Sequence, residues 1–414
     1  MRILIVTQYF WPENFRVNDL AAALVERGHA VTVLTGVPNY PEGRIFREFT
    51  QARAEYDSYR GAEIIRAPLV PRGQGSLRLV VNYLSFVLTA TLVGVTKLRH
   101  RRFDGIIVYQ PSPITSCLPA LAVGRLTGTP VLLWTLDLWP ETLDAIGAVR
   151  SPFLLRQVGR LVSFIYRRCA FILGQSRGFQ ANVERYAGTP ERFRYFPQWS
   201  EALFENGDAT RDIAPEATPF RNSFNVLFAG NVGDAQDFPS ILDAAGRLRD
   251  RTDIQWLIVG DGRAAVWVTG EIARRGLGDT VHMLGRHPLE RMPEFFVVAS
   301  ALLVTLKTDP VFALTIPGKV QTYLAAGIPI LGMLDGAGAQ VIRDAEAGLT
   351  CASGDAEGLA TNVLNLARLS VAERTAMGAR GRAFARHEFD RDTLLTQLEA
   401  WVAEAAAAPA GFAS

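Results

Sequence analysis

Residues 2–36 read RILIVTQYFWPENFRVNDLAAALVERGHAVTVLTG, and this stretch decides the fold. Ile3–Val6 is a short β-branched run, as expected of a strand buried on both faces. A polar and aromatic loop follows. Apolar residues at helical spacing then predict a helix over about Val17–Arg27, closed by Gly28. Ala30–Thr35 is the next strand. A βαβ opening of this kind implies a parallel sheet with helices on both faces.

The alternation continues, with strands at Gly105–Tyr109, Val131–Thr135 and Phe171–Gly174. Residues 197–222 break it with prolines and mixed charge, as a linker does. It restarts with a strand at Asn225–Ala229, a helix near Ser240–Arg249, and strands at Gln255–Val259, Val281–Leu284, Ala301–Leu306 and Pro329–Met333. Long amphipathic helices over about Val371–Ala385 and Asp392–Ala406 end the chain, with fraying expected in the tail from Ala405. The expected architecture is α/β, two Rossmann-like doubly wound domains with a cleft between them. The domains are residues 1–200 and 201–388, and a C-terminal helix over 389–414 packs back on the first.

Composition supports the division. The 414 residues carry a net charge of +2, but residues 1–200 hold 24 Lys+Arg against 14 Asp+Glu, and residues 201–414 hold 19 against 27. Hydrophobic residues at 49% and charged ones at 20% exclude a disordered chain. The three cysteines have no Cys-x-x-Cys spacing, so neither a disulfide framework nor a zinc site is expected. The opening Met-Arg-Ile-Leu-Ile-Val-Thr-Gln runs through only four apolar residues, Ile3–Val6, before it turns polar, so no secretory signal is expected. Basic stretches without a recognition motif give no reason to expect nucleic acid.

In doubly wound sheets ligands sit beyond the carboxyl ends of the strands. After Val6 no Gly-x-Gly-x-x-Gly is present, which argues against a dinucleotide. The loop instead offers Tyr9, Trp11, Glu13, Asn14 and Arg16, a set suited to a sugar, although Trp11 serves equally as a plug for a core edge. Asn39 and Tyr40 lie in a proline-stiffened loop that is a cleft wall or a simple turn. Asp137 and Glu141 leave the end of a buried strand, where acids favour a site over a solvated face. In the second half, Phe-Ala-Gly-Asn-Val-Gly (228–233) and Val-Gly-Asp-Gly-Arg (259–263) each end a strand with backbone open to a phosphate. Arginine outnumbers lysine 40 to 3. Lys319 lies in the first helical turn after Pro317, where a cation opposes the helix dipole, so a point charge for a diphosphate explains it better than stability does.

Taken in order, Tyr-Phe-Trp-Pro-Glu, Gly-His-Ala-Val-Thr-Val-Leu-Thr, Pro-Asn-Tyr-Pro-Glu-Gly, Asp-Leu-Trp-Pro-Glu, Ala-Gly-Asn-Val-Gly-Asp-Ala-Gln, Val-Gly-Asp-Gly and Ile-Pro-Gly-Lys resemble the retaining nucleotide-sugar glycosyltransferases of family 4, of GT-B fold. The branch most resembled builds O-antigen, capsule and colanic-acid-like polysaccharides and includes N-acetylfucosaminyltransferase-like enzymes. The resemblance implies a UDP-sugar donor, a polyprenyl-linked saccharide acceptor, retention by front-face attack, and no cofactor or metal. Lys319, Asp137 and Glu13 become the catalytic candidates. Gly230, Asn231, Gly233, Gln236, Gly260, Asp261, Gly262, Arg286, Lys307, Pro317, Gly318 and Lys319 are the donor-binding candidates. Asn14, Arg16, Asn39, Tyr40, Ser112 and Glu141 are those for the acceptor. The family's glutamate pair before Ala-Ala-Gly is replaced here by Leu314 and Thr322. The only Asp-x-Asp, at Asp390 and Asp392, reads as a helix cap. A UDP-sugar 2-epimerase and a non-catalytic nucleotide-sugar-binding scaffold are the alternatives.

Seven Lys or Arg and no acid lie between Glu63 and Asp104, bracketing the uncharged run Leu79–Thr96. A second acid-free stretch, Ala145–Val183, places Arg156, Arg160 and Arg167 on one helical face. Either these are core helices with solvated basic ends, or the first domain docks on anionic lipid. The implied lipid-linked acceptor favours docking, peripheral and on the cytoplasmic face of the inner membrane.

Overall fold

The structure, a computed structural model, describes residues 1–73, 75–200, 202–205 and 212–408. The chain divides into two compact units, residues 1–197 with the stretch from Asp392 onward, and residues 198–391. Residues 201 and 206–211 of the expected linker, and 409–414 of the tail, lie outside the described residues.

The first unit holds an eight-stranded sheet in the order β3-β4-β2-β1-β5-β6-β7-β8. The strands are β1 (Arg2–Val6), β2 (Ala30–Gly36), β3 (Ser58–Tyr59), β4 (Ala62–Ala67), β5 (Gly105–Gln110), β6 (Val131–Thr135), β7 (Phe171–Gly174) and β8 (Phe193–Tyr195). All pairs are parallel except β3 with β4. Ile3, Leu4, Ile5 and Val6 are fully buried, the consequence of helices on both faces. The C-terminal helix Arg391–Ala407 packs on this unit. A Cβ on Gly105 would meet Val402 at 2.8 Å. Arg27 and His29 both reach Glu399, at 2.8 and 2.7 Å, and Arg194 reaches Glu404. Asp392, in the first turn of that helix, faces Arg27 at 3.5 Å.

The second unit holds six parallel strands in the order β11-β10-β9-β12-β13-β14. These are β9 (Phe224–Ala229), β10 (Ile254–Val259), β11 (Val281–Gly285), β12 (Ala301–Thr305), β13 (Ile330–Met333) and β14 (Gly348–Cys351). Alternate residues feed two cores. Leu227, Leu257 and Leu302 pack on one face with Val320, Tyr323 and Leu324 of the helix Gly318–Ala326. Val226, Phe228, Trp256 and Leu303 pack on the other with Ile241 and Leu242 of the helix Phe238–Arg247. Each such fully buried aliphatic side chain contributes roughly 1.5–3 kcal/mol. These two-sided cores hold the strand ends, and the loops leaving them, in register.

Candidate functional site

In the second unit the candidate donor loops leave the carboxyl ends of neighbouring strands β9, β10, β11 and β12. Val232 N–H donates to Asp261 O at 2.9 Å, Ala264 N–H donates to Val232 O at 3.0 Å, and Gly260 N–H donates to Gly285 O at 2.7 Å. Lys307, exposed after β12, donates its N–H to Ala235 O at 2.9 Å. Thr305 Oγ1 holds Gln236 O at 2.5 Å.

The glycines in these loops are dictated by contact. Gly230 has φ +131, a region closed to side chains, and a Cβ there would lie 2.8 Å from Lys319 Cε and 3.0 Å from Nζ. A Cβ on Gly260 would overlap Gly230 O and lie 2.9 Å from its carbonyl carbon, and one on Gly262 would overlap Val232 O. Gly233 is closed off by Asn231 and Gln236 side chains.

Lys319 occupies the first turn of the helix Gly318–Ala326, with Pro317 as its N-cap. Its ammonium sits 3.5 Å from the centroid of the Phe228 ring and beside the Gly230 backbone. Burial alone pulls its pKa down to about 7 from an ordinary 10.5. A desolvated cation against a ring face, beside glycine backbone and a positive helix end, is prepared for an anion. Among the other donor candidates Gly318, Asn231, Asp261, Arg286 and Lys307 are exposed. Asp261 Oδ1 accepts the Gly262 N–H at 2.7 Å. Gln236 Oε1 is buried with no hydrogen-bond partner among the described residues. Leu314 is half-buried, and Thr322 Oγ1 donates back to Gly318 O at 3.2 Å.

In the first unit the rim is formed by loops after β1, β2, β5 and β6, each with one cis X-Pro bond: Trp11-Pro12, Tyr40-Pro41, Ser112-Pro113 and Trp139-Pro140. Asp137 is the best-placed acid. Trp139 Nε1 donates to its Oδ2 at 3.1 Å, the Ser112 and Thr142 side chains lie close by, and burial raises its pKa. Tyr83 lies half-buried close to Ser112 and Arg72, and burial raises its pKa. Glu141 accepts from Tyr186 Oη at 3.0 Å. Tyr40 is partly exposed beneath the Arg72 guanidinium, 5.5 Å from its ring. Asn14 is exposed, and Arg16 begins the helix Arg16–Glu26.

Two expectations are corrected. Glu13 is not placed for catalysis: it is 2% exposed, its Oε1 accepts the backbone N–H groups of Asn39 at 2.8 Å and Tyr40 at 2.7 Å, and its Oε2 accepts that of Phe10 at 3.1 Å. It is a clamp between two rim loops. Asn39 does not face an acceptor either. It is fully buried, with Nδ2 donating to Val37 O and Oδ1 accepting the Arg72 N–H, each at 3.0 Å. Sequence reasoning gave no role to Phe228, the first residue of the 228–233 motif, and missed as site residues Tyr323 (whose hydroxyl accepts the Ala229 N–H at 3.2 Å), Arg72 and Tyr83. Phe228 alone had a signal, lying two residues before Gly230 on the same strand face. Among the described residues no group of three or more His, Cys, Asp or Glu could hold a metal ion.

Residues 14–199 match the family model described as glycosyl transferase 4-like domain, and residues 223–368 match glycosyl transferases group 1. The chain is 24% identical over 343 residues to WcaI of Escherichia coli strain K12, a protein assigned as a colanic acid biosynthesis glycosyl transferase, covering 79% of this chain and 82% of WcaI. Among solved structures, Anabaena HepE in complex with UDP-glucose superposes with a TM-score of 0.67 at 15% identity, over 98% of this chain and 100% of that one. WaaG, a glycosyltransferase involved in lipopolysaccharide biosynthesis, does so with a TM-score of 0.62 at 16% identity, over 96% and 98%. The two models account for the two sheet units in turn, and the chain is accordingly a glycosyltransferase of group 1, with the two-domain GT-B fold.

Proposed function

We propose that this glycosyltransferase moves a sugar, an N-acetylated deoxyhexosamine or related hexose, from a UDP-sugar to a polyprenyl-diphosphate-linked saccharide with retention of configuration, in the synthesis of a bacterial surface polysaccharide. The observation that carries the reading is Lys319, a desolvated ammonium held between the Phe228 ring and glycine backbone that admits no side chain. A diphosphate supplies the anion this group lacks. In this reading the second unit binds the donor, and Lys319 with the helix start and loop N–H groups stabilises charge on the departing diphosphate. The first unit binds the acceptor hydroxyl beside Asp137 and Ser112. The leaving phosphate takes the acceptor proton, so the protein contributes mainly position and electrostatics. The assignment of WcaI to colanic acid and the HepE complex with UDP-glucose support the substrate classes.

A scaffold reading keeps one observation in its favour, the presence of Leu314 and Thr322 where the resembled family has glutamates. The test is a thermal-shift panel of UDP- and GDP-sugars, since a ligand of the native state raises the melting temperature by mass action, followed by incubation of the best binder with and without a polyprenyl-diphosphate saccharide. Acceptor-dependent UDP release supports transfer. Binding without turnover supports the scaffold, and a new UDP-sugar formed without acceptor supports an epimerase.

A further inference from the structure

The helix Ser76–Leu98 carries a face that glycosyl transfer does not use. The most apolar 18 residues within Leu77–Leu98 have a mean hydropathy of 1.8, yet only 22% of them are buried. Leu77, Leu88 and Leu92 are 77%, 70% and 66% exposed, and Val81 and Leu84 join them on the same stripe. Their spacing follows one side of a 3.6-residue helix for about 22 Å. A continuous exposed apolar stripe of this length marks an interaction surface.

The opposite side of the helix is built into the unit. Phe86, Ala90 and Leu98 are fully buried. Asn82, also fully buried, accepts from Gln8 Nε2 and donates to Val70 O, both at 2.7 Å. A Cβ on Gly94 would meet Val123 at 2.8 Å. Crossing a bilayer would break these contacts and leave the buried amide of Asn82 in hydrocarbon. The helix is therefore long enough to span but is held lengthwise against the sheet unit.

Charge identifies the occupant. Arg78 lies near the start of the helix, Lys97 and Arg99 at its end, and Arg102 just beyond, with no acid between Glu63 and Asp104. Two copies meeting on this face would bring these cations together, whereas anionic headgroups would match them. We propose that this face docks on an anionic bilayer, lying in the headgroup–acyl boundary with the helix axis parallel to the membrane plane. The Gln8–Asn82 bond and the Asn39–Arg72 bond tie the docked helix and the segment before it to the rim loops of the first unit.

Co-sedimentation of the full chain with phosphatidylcholine vesicles, with and without 30 mol% phosphatidylglycerol, tests this. The wild type is expected to pellet with the anionic vesicles and to be stripped by alkaline carbonate. Leu84→Ser/Leu88→Ser/Leu92→Ser is expected to weaken binding about a hundredfold, and Lys97→Gln/Arg102→Gln about thirtyfold at low salt. Both variants change exposed side chains, so wild-type melting and UDP affinity serve as the check on folding. Wild-type binding by the triple serine variant overturns the proposal, as does resistance to carbonate, which means a spanning helix. A dimer in light scattering that the serine variant dissociates, without vesicle binding by the wild type, assigns the face to a second copy and also overturns it.

Discussion

Gly260→Ala adds one methyl group at the point where the two donor loops touch. The new carbon would overlap the carbonyl oxygen of Gly230 and lie 2.9 Å from its carbon, so one backbone must move by about 1 Å to restore ordinary contact. Both are held by backbone bonds, Gly260 N–H to Gly285 O and Gly230 N–H to Val259 O, so the loops cannot part without breaking one of them, and Lys319 lies directly against the Gly230 loop. Overpacking of this kind costs about 1–3 kcal/mol of stability, and a 1 Å displacement at a binding centre costs about a hundredfold. Calorimetric titration with UDP at pH 7, beside a thermal melt, reads both effects. Gly270→Ala provides the contrast within the same unit. Gly270 is in the helix Ala265–Arg274 with open space where its Cβ would be, so alanine there is expected to stabilise by up to about 1 kcal/mol through helix propensity and leave UDP binding alone. If Gly260→Ala bound UDP and melted like the wild type, the close approach of the loops would not shape the donor site.

Lys319 ties donor affinity to pH. Its pKa near 7 leaves the free protein progressively neutral above that pH, while a bound diphosphate favours the ammonium. UDP affinity should then fall about tenfold from pH 7.5 to 8.5 with proton uptake on binding, and Lys319→Gln should abolish the slope when binding is measured in buffers of different ionisation enthalpy. Glu13→Ala frees three backbone N–H groups that its carboxylate now satisfies. It is expected to cost about 1–3 kcal/mol in chemical denaturation and to raise the acceptor KM while the dissociation constant of UDP stays constant. EDTA is expected to leave the transfer rate of purified enzyme unchanged, and a loss restored by a divalent ion would assign the diphosphate charge to a metal instead.

The sequence made most of the central strands accessible because strands buried on both faces are short unbroken apolar runs. Val131–Thr135 and Phe171–Gly174 were read with the observed bounds. β4 went unread because Glu63 and Arg66 interrupt it, and Arg66 is buried there with its guanidinium on Gly36 O. In the second unit Lys319 was legible from its rarity and its place at a helix start. The Phe228 ring beneath it was not, because only the fold joins two segments about ninety residues apart. Glu13 and Asn39 were misread for a related reason. A carboxylate or amide in a rim loop has the same letter whether it faces a ligand or a neighbouring backbone N–H, and here both side chains are spent on the loops themselves.

Transfer itself gives the most direct test of the central claim, followed by proton NMR with a UDP-sugar and a polyprenyl-diphosphate saccharide in one tube. The account predicts UDP release, a product whose new anomeric coupling keeps the donor's configuration, and a rate at least about a hundredfold lower for Lys319→Gln. An inverted anomeric centre, or a Lys319→Gln enzyme turning over at the wild-type rate, would contradict it.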